Sequence, residues 1–366
     1  MPKYAYNNIT LLQFVMLMYG TQSGVGILTL PRDLAKTADT SGWISLFLGW
    51  GLAVLASVII IKLMEKYPED TLVQLLRRFF GKWIGGGLTI LFIGYVALGS
   101  FLITVTAIYI ISTWILPQTP TYYLLLLFSI PGFYLGRSGI RLIARYSVVV
   151  FILTSWMAIL FVYPIVNGEV VNLLPILKEG WKPIFQAVPN TTFSFLGIEL
   201  LFVVYPFLED KKKAIRGVIM ANSLSLLSYL IVTFSSFIYF GPYEILEYIW
   251  PTLNLVKPIE FPFLERFEII FLSLYLFVLS TTGIPFYFMT SFSIAQLIGK
   301  KDHQKVLAGL FVLFFAIFLF FTLSIDNLSR LGSIFNKVGV SIAFISPFIL
   351  LVYGMIYRSI RRRRSG

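Results

Sequence analysis

The chain has 366 residues, of which 58% are hydrophobic, 17% aromatic and only 13% charged, and its mean hydropathy is +0.85. Such a composition is too apolar for a soluble domain of this length and predicts an all-α integral membrane protein. The absence of cysteine excludes disulfides, thiol catalysis and thiolate metal sites.

Ten apolar runs have about the length that a bilayer demands and are separated by short polar or Pro/Gly-bearing turns. We expect them to form one membrane domain over residues 1–366, with a basic cytoplasmic tail at 358–366. The spans are placed at Ile9 to Ala35, Trp43 to Ile61, Ile84 to Thr113, Tyr122 to Gly136, Tyr146 to Val166, Phe185 to Leu208, Ala214 to Phe240, Phe267 to Ile298, Val306 to Leu323 and Ser333 to Tyr357.

Lysine and arginine are unevenly shared between the two sides of these spans. One side, which holds both termini, carries 21 of the 29, and the other carries 8. Because positive residues are retained on the cytoplasmic face, both termini are predicted to be cytoplasmic. The net charge of +12 then reflects topology and anionic lipid, and we expect the partner to be the lipid bilayer and no nucleic acid.

The first span is interrupted by glycines and small hydroxyl residues at the depth where lipid should surround a helix. The interruption runs from Gly20 to Pro31 and includes Ser23, Gly24, Val25 and Gly26. Non-helical backbone survives in hydrocarbon only where protein or a polar cavity receives its N–H and C=O groups. The pattern therefore predicts a binding site, although such glycines on their own could equally permit close helix packing.

A second interruption lies in the sixth span, where Pro189 to Glu199 includes polar groups, Phe195, Leu196 and a glycine. It follows the first by 172 residues, counted from Ser23 to Phe195. Each interrupted span is the first of five consecutive spans, so the chain divides into two halves of five. Because five is odd, the two halves cross the membrane in opposite orientations. This predicts a 5+5 inverted repeat with helices 1 and 6 broken, its halves covering residues 9–166 and 185–357.

Other polar residues inside the spans admit two interpretations each. Glu199 is the one acid placed deep in the membrane. It either faces a cavity and couples an ion or proton, or is a neutral carboxyl hydrogen-bonded to a carbonyl of the broken helix. Ser280, Thr281 and Thr282 offer hydroxyls to the first break or to ordinary helix contacts. The histidine at position 303 is expected to be a solvated loop residue. No catalytic constellation, metal site or cofactor is predicted.

With these residues in view, the chain resembles the B-subunit family of bacterial endospore germinant receptors, within the amino acid-polyamine-organocation superfamily. The resemblance spans nearly the whole length. It rests on Gly24 to Arg32, Ser41 to Ile44, Gly81 to Gly85, Ser194 to Glu199, Trp250 to Thr252 and Phe263 to Glu268.

The resemblance implies a LeuT-like fold in the inner membrane of a spore and a nutrient-sensing subunit that binds a small germinant, often an amino acid. It also implies partner A and C subunits. By position, the family's pocket would fall on Gly24, Val25, Gly26, Tyr95, Gly99, Phe195, Leu196, Thr281 and Thr282. Ser23 joins this site through its place in the first break.

Two other functions stay open at this point. One is a secondary transporter that moves an amino acid with an ion, using Ser280, Thr281 and helix-one carbonyls, or Glu199. The other is a channel built from several copies, in which Glu199 would line the pore.

Overall fold

The computed structural model describes residues 7–259, 266–320 and 325–365, so the first three residues of the Phe263 to Glu268 motif lie outside them. These residues form helices with a single isolated backbone bridge. The helices are α1 Leu11–Gln22, α2 Gly26–Ala38, α3 Ile44–Met64, α4 Leu72–Trp114, α5 Thr121–Arg137, α6 Ile140–Thr154, α7 Met157–Leu160, α8 Val162–Asn167, α9 Lys182–Ser194, α10 Leu201–Val204, α11 Ala214–Glu244, α12 Pro251–Asn254, α13 Phe267–Leu297, α14 Gln304–Phe320, α15 Ile325–Val340 and α16 Ser346–Ser365.

Length and composition identify the membrane spans among the described residues. Six continuous helical segments are long and apolar enough to cross a bilayer, and two bent helix pairs bring the number to eight. The 17-residue helices α5 and α14 match the two remaining predicted spans. The predicted all-α membrane fold, with its first and sixth spans broken, is therefore confirmed, and six to eight of the ten predicted spans are identified among the described residues.

Several helices differ in extent from the predicted spans. Helix α4 begins at Leu72 rather than Ile84, because a short helix precedes the span and joins it through a kink at Gly81, whose φ is 76°. The fifth span is divided into α6, α7 and α8, and its apolar sequence gave no sign of this division. The tenth begins earlier, at Ile325, and contains a π-helical turn at Ser341–Ile345 between α15 and α16.

The core lies in two large clusters of buried apolar side chains. One surrounds α1 and the chain after the second break, and includes Phe14, Leu17 and Phe202. The other surrounds α2, α11 and α13, and includes Leu28 and Phe271. Both clusters are centred on the broken spans, so the breaks lie inside the bundle and not at its lipid-facing surface.

Two further sequence predictions concern the segment between α11 and α13 and the histidine at position 303. The sequence from Tyr243 to Glu268 carries three prolines with aromatic residues between them, which predicts a partly ordered lid. The structure places α12 in this segment, and Thr252 donates a hydrogen bond from its hydroxyl to the carbonyl of Ile27 at 2.8 Å. His303 lies in the loop between α13 and α14, as predicted, but it is only partly exposed to solvent. Its ring is partly buried, with Nε2 3.0 Å from the carbonyl oxygen of Gly136 and its edge against Phe288.

Candidate functional site

The first break separates α1 from α2, whose axes differ in direction by 54°. Helix α1 ends at Gln22 and α2 begins at Gly26, leaving Ser23, Gly24 and Val25 between them. Position 24 requires glycine, because a Cβ atom there would lie only 2.5 Å from Oγ1 of Thr282. The close approach of α13 to the bare backbone thus explains one glycine of the motif.

Side-chain hydroxyls from α13 satisfy carbonyl groups at this break. Thr282 donates to the Gly20 carbonyl at 2.8 Å, and the Thr281 hydroxyl lies 3.3 Å from the same oxygen. Tyr275, two turns earlier on α13, donates to the Gly24 carbonyl at 2.9 Å. An unpaired carbonyl would be costly in hydrocarbon, so these donors stabilise the interruption.

The second break separates α9, which ends at Ser194, from a helical segment that starts at Ile198, with a bend of 46°. Gly197 has a φ of 114°, in the left-handed region that favours glycine. Its N–H donates to Oε2 of Glu199 at 2.8 Å, and Tyr95 of α4 donates its hydroxyl to Oε1 at 2.7 Å. Glu199 has no exposed surface. The carboxyl group thus accepts hydrogen bonds from the helix break and from a tyrosine, and not the bond to a broken-helix carbonyl that the second interpretation proposed.

The two breaks meet inside the bundle. The hydroxyl of Tyr229, on α11, lies within hydrogen-bond distance of the Gln22 carbonyl at 3.0 Å and of the Ser194 carbonyl at 2.6 Å. A Cβ atom at Gly26 would come 3.1 Å from Cα of Ser194. A single hydroxyl hydrogen is shared between the two carbonyl oxygens. These oxygens can therefore accept a further hydrogen bond.

Ser194 was not among the residues singled out from the sequence, and it lies where the breaks cross. The residue is 3% exposed, and its hydroxyl has no hydrogen-bond partner among the described residues. A Cβ atom at Gly26 would lie 3.1 Å from this hydroxyl oxygen. Its position directly before Phe195 in a polar run inside a span was the available signal. Tyr229 and Tyr275 gave none, since a tyrosine in an apolar helix usually belongs to the core.

Several predicted pocket residues pack closely together beside this crossing. The ring of Tyr95 stacks on Phe335 of α15, with centroids 4.8 Å apart. Leu196 fills the space beside Gly339, where a Cβ atom would lie 2.7 Å from its Cδ1. A Cβ atom at Gly99 would lie 2.8 Å from the Phe335 ring, so both glycines make room for large neighbours.

Other predicted residues are not brought to this cluster. Ser23 lines a cavity of about 240 Å³ between α1, α6, α11 and α13. Ser280 pairs with the hydroxyl of Tyr146 at 2.6 Å and lines a different cavity. Phe195 is fully buried edge-on against Tyr229, and Val25 is half-buried. The predicted set thus divides over several faces of the two breaks.

The ends of the broken spans far from α2 are joined by main-chain hydrogen bonds. The N–H of Ile9 donates to the Phe207 carbonyl at 2.9 Å, and the N–H of Glu209 donates to the Ile9 carbonyl at 3.1 Å. Phe207 and Leu208 are almost fully buried there. These bonds close this side of the site, which the charge distribution predicts to be the cytoplasmic side.

Comparison with solved structures shows the fold. The chain is similar to Mhp1, a nucleobase-cation-symport-1 family transporter in a closed conformation, with a TM-score of 0.66, 12% identity and coverage of 96% of this chain and 79% of that one. It is also similar to MhsT in complex with L-phenylalanine, with a TM-score of 0.60, 13% identity and coverage of 94% and 98%. Both similarities support the predicted LeuT-like architecture.

Sequence comparison finds relatives of higher sequence identity. Spore germination protein YndE of Bacillus subtilis is 31% identical over 303 residues, which cover 81% of this chain and 82% of that protein. Spore germination protein GerQB of Bacillus cereus is 27% identical over 323 residues, covering 88% and 89%. The family model described as spore germination protein matches residues 8–328. From these matches and the shared fold, the chain belongs to the spore germination permease family of membrane proteins.

Proposed function

We propose that this chain is the nutrient-sensing subunit of a spore germinant receptor and that it binds a small molecule, with an amino acid preferred, where the two broken helices cross. The observation that carries the proposal is the unpartnered, buried hydroxyl of Ser194 facing Gly26 at that crossing. A hydroxyl of this kind costs free energy unless a ligand or water completes it.

The broken spans suit a zwitterionic ligand. Helix α2 begins at Gly26, and the start of a helix presents N–H groups and the positive end of the helix dipole to a carboxylate. Carbonyl groups at the end of α9 offer acceptors for an ammonium group, and the Ser194 carbonyl already lies beside the crossing. The ligand's side chain would then contact Leu196, Phe195 and Tyr95.

Binding requires a change from the packing described above. Leu196, Tyr95 and Phe335 fill the space beside the second break, so α15 must move relative to α4 and α9 to admit a ligand. A ligand shifts such an equilibrium only by its differential affinity for the two arrangements. The closed Ile9 to Glu209 side implies entry from the outer face.

We infer that this movement is passed to partner A and C subunits in the spore inner membrane, with both termini on the cytoplasmic side. The support is family membership and the asymmetry of lysine and arginine, which puts 21 of 29 on one side.

The test is a thermal-shift and equilibrium-binding screen of the purified chain against single amino acids, sugars and nucleosides. Gly26→Trp should abolish binding of any hit, because the side chain would occupy the space next to Ser194. Ser194→Ala should weaken it about tenfold, the effect of losing one buried hydrogen bond of about 1.4 kcal/mol. Thr281 and Leu196 substitutions should also alter affinity.

Lys301→Ala is the matched control, because Lys301 is exposed in the loop between α13 and α14 and should leave affinity unchanged. Unchanged binding in a folded Gly26→Trp variant would exclude the crossing as the site.

A second candidate, an ion-coupled amino-acid transporter, is favoured by one observation. The hydroxyls of Thr281 and Thr282 converge on the Gly20 carbonyl, and such oxygens also suit a sodium ion. Ion-dependent uptake by the chain in liposomes would support transport, whereas saturable binding without flux would support the receptor.

A further inference from the structure

An apolar groove lies between α4, α5, α6 and α13, separate from the crossing of the two breaks. Its volume is about 380 Å³. Its walls include Thr104, Ile111, Leu127, Phe277, Ser280 and Tyr287. Ser280 and Gly283 line the groove. The two intervening residues, Thr281 and Thr282, instead place their hydroxyls within hydrogen-bond distance of the Gly20 carbonyl. The groove and the first break therefore occupy different faces of the same turn of α13.

The groove is elongated along α13. Its lining extends from Ser273 to Tyr287, a separation of fourteen residues or about 21 Å at the rise of an α-helix. One leaflet of a bilayer has a hydrocarbon depth of about 15 Å, half of the whole core. An extended hydrocarbon chain that runs along α13 has this elongated shape.

The mouth of the groove faces the lipid. Leu127 is 61% exposed, Phe277 44% and Leu116 39%, and all three line the groove. In a bundle that spans a bilayer, exposed apolar side chains of helices α4, α5 and α13 contact lipid chains. The groove is therefore continuous with the bilayer surface of the protein.

The polar groups that line the groove already have partners. The hydroxyls of Thr104 and Tyr287 are hydrogen-bonded to each other, and those of Tyr146 and Ser280 are 2.6 Å apart. Ser273 donates to the carbonyl of Ile269 at 2.8 Å. An occupant therefore need not supply any hydrogen bond, which favours a hydrocarbon over a polar solute.

We propose that this groove binds one acyl chain of a phospholipid from the leaflet on the Trp114 side, which the charge distribution predicts to be the outer leaflet. The chain enters between Leu127 and Phe277 and lies along α13. Each methylene that leaves the bilayer gains little from apolarity alone, so the retention comes from close packing against the apolar walls of the groove.

The test uses the full-length chain in nanodiscs of phosphatidylglycerol that carries a photoreactive diazirine midway along one acyl chain. After irradiation, mass spectrometry should find the label concentrated on groove residues of 103–116 and 273–287. Leu276→Trp, which fills the groove, should lower this labelling at least fivefold. Leu274→Trp is the matched control, since Leu274 is also half-buried on α13 but does not line the groove, and its labelling should stay within twofold of wild type.

Ser280→Phe is the second filling variant, for use if Leu276→Trp does not fold, and should give the same loss. Labelling spread evenly over lipid-facing residues outside the groove, such as Leu126 and Ile130, would overturn the proposal. So would groove labelling that a folded filling variant leaves unchanged. Neither result depends on germinant binding, so the two proposals fail separately.

Discussion

The two helix breaks are stabilised in different ways. At the first break, the carbonyls of Gly20 and Gly24 accept hydrogen bonds from hydroxyl groups on α13, which lie more than 250 residues away in the chain. At the second, the N–H of Gly197 is accepted by Glu199, only two residues away. The first break depends on the position of another helix, whereas the second carries its own stabilising group.

This difference indicates which parts of the site move together. A displacement of α13 removes donors from the first break, so the two must move as one body or the break loses hydrogen bonds. The second break keeps its local turn and is tied to α4 by Tyr95. Tyr229 connects the first break to the second through a single hydroxyl group, which bonds the carbonyls of Gln22 and Ser194.

The largest expected effect comes from Glu199→Ala. The change leaves the Tyr95 hydroxyl and the Gly197 N–H buried without their acceptor, at about 1–3 kcal/mol for each group. We expect a loss of about 2–6 kcal/mol in stability, measured as a fall in unfolding temperature by tryptophan fluorescence in detergent. Glu199→Gln, which keeps one acceptor oxygen, should lose less. Equal stability of the alanine variant and wild type would show that the second break does not depend on this carboxyl.

Gly24→Ala should have an intermediate effect. Its Cβ atom would lie 2.5 Å from Oγ1 and 2.8 Å from Cγ2 of Thr282, and such overpacking costs about 1–3 kcal/mol. Thermal unfolding should show the loss, and the double variant with Thr282→Ala should lose less than the sum of the single variants. Gly94→Ala is the control, because a Cβ atom there has open space and should be neutral. Additive losses in the double variant would contradict the direct contact.

Tyr229→Phe should have the smallest effect on stability, about 1 kcal/mol, because hydrogen bonds within membrane proteins contribute modestly. Its more specific effect is on the connection between the two breaks, because the variant loses the hydroxyl that bridges the Gln22 and Ser194 carbonyls. Hydrogen exchange by mass spectrometry should show faster exchange in both peptides, 20–27 and 192–199. Tyr275→Phe removes a hydroxyl that is bonded to the Gly24 carbonyl and to neither α9 nor Ser194, so it should accelerate exchange of the first peptide alone. Faster exchange of both peptides in each variant would remove the distinction.

Hydrophobic run length and the paired interruptions were enough to predict the architecture. Both breaks fall inside the segments predicted from Gly20 to Pro31 and from Pro189 to Glu199, because glycines and small polar residues in an apolar run have few other uses. The boundaries of the two repeats, 9–166 and 185–357, stay a prediction.

The rotation of individual side chains could not be predicted in the same way. Ser280, Thr281 and Thr282 are consecutive, yet a helix turns by about 100° per residue, so Ser280 faces the lipid-side groove while the threonines face the first break. The role of Tyr229 depends on the distance between two breaks that are 172 residues apart in sequence. The packing of Phe335 and Gly339 around Tyr95 and Leu196 likewise joins remote parts of the chain.

The short backbone ladder between Ile9 and the residues at Phe207 to Glu209 joins the start of the first broken span to the end of the sixth. Both bonds use peptide groups, so most substitutions there leave them in place. A proline at position 9 would remove the N–H that donates to Phe207 and leave only the bond from Glu209. A displacement of the backbone at Ile9 is therefore transmitted to both broken spans at once.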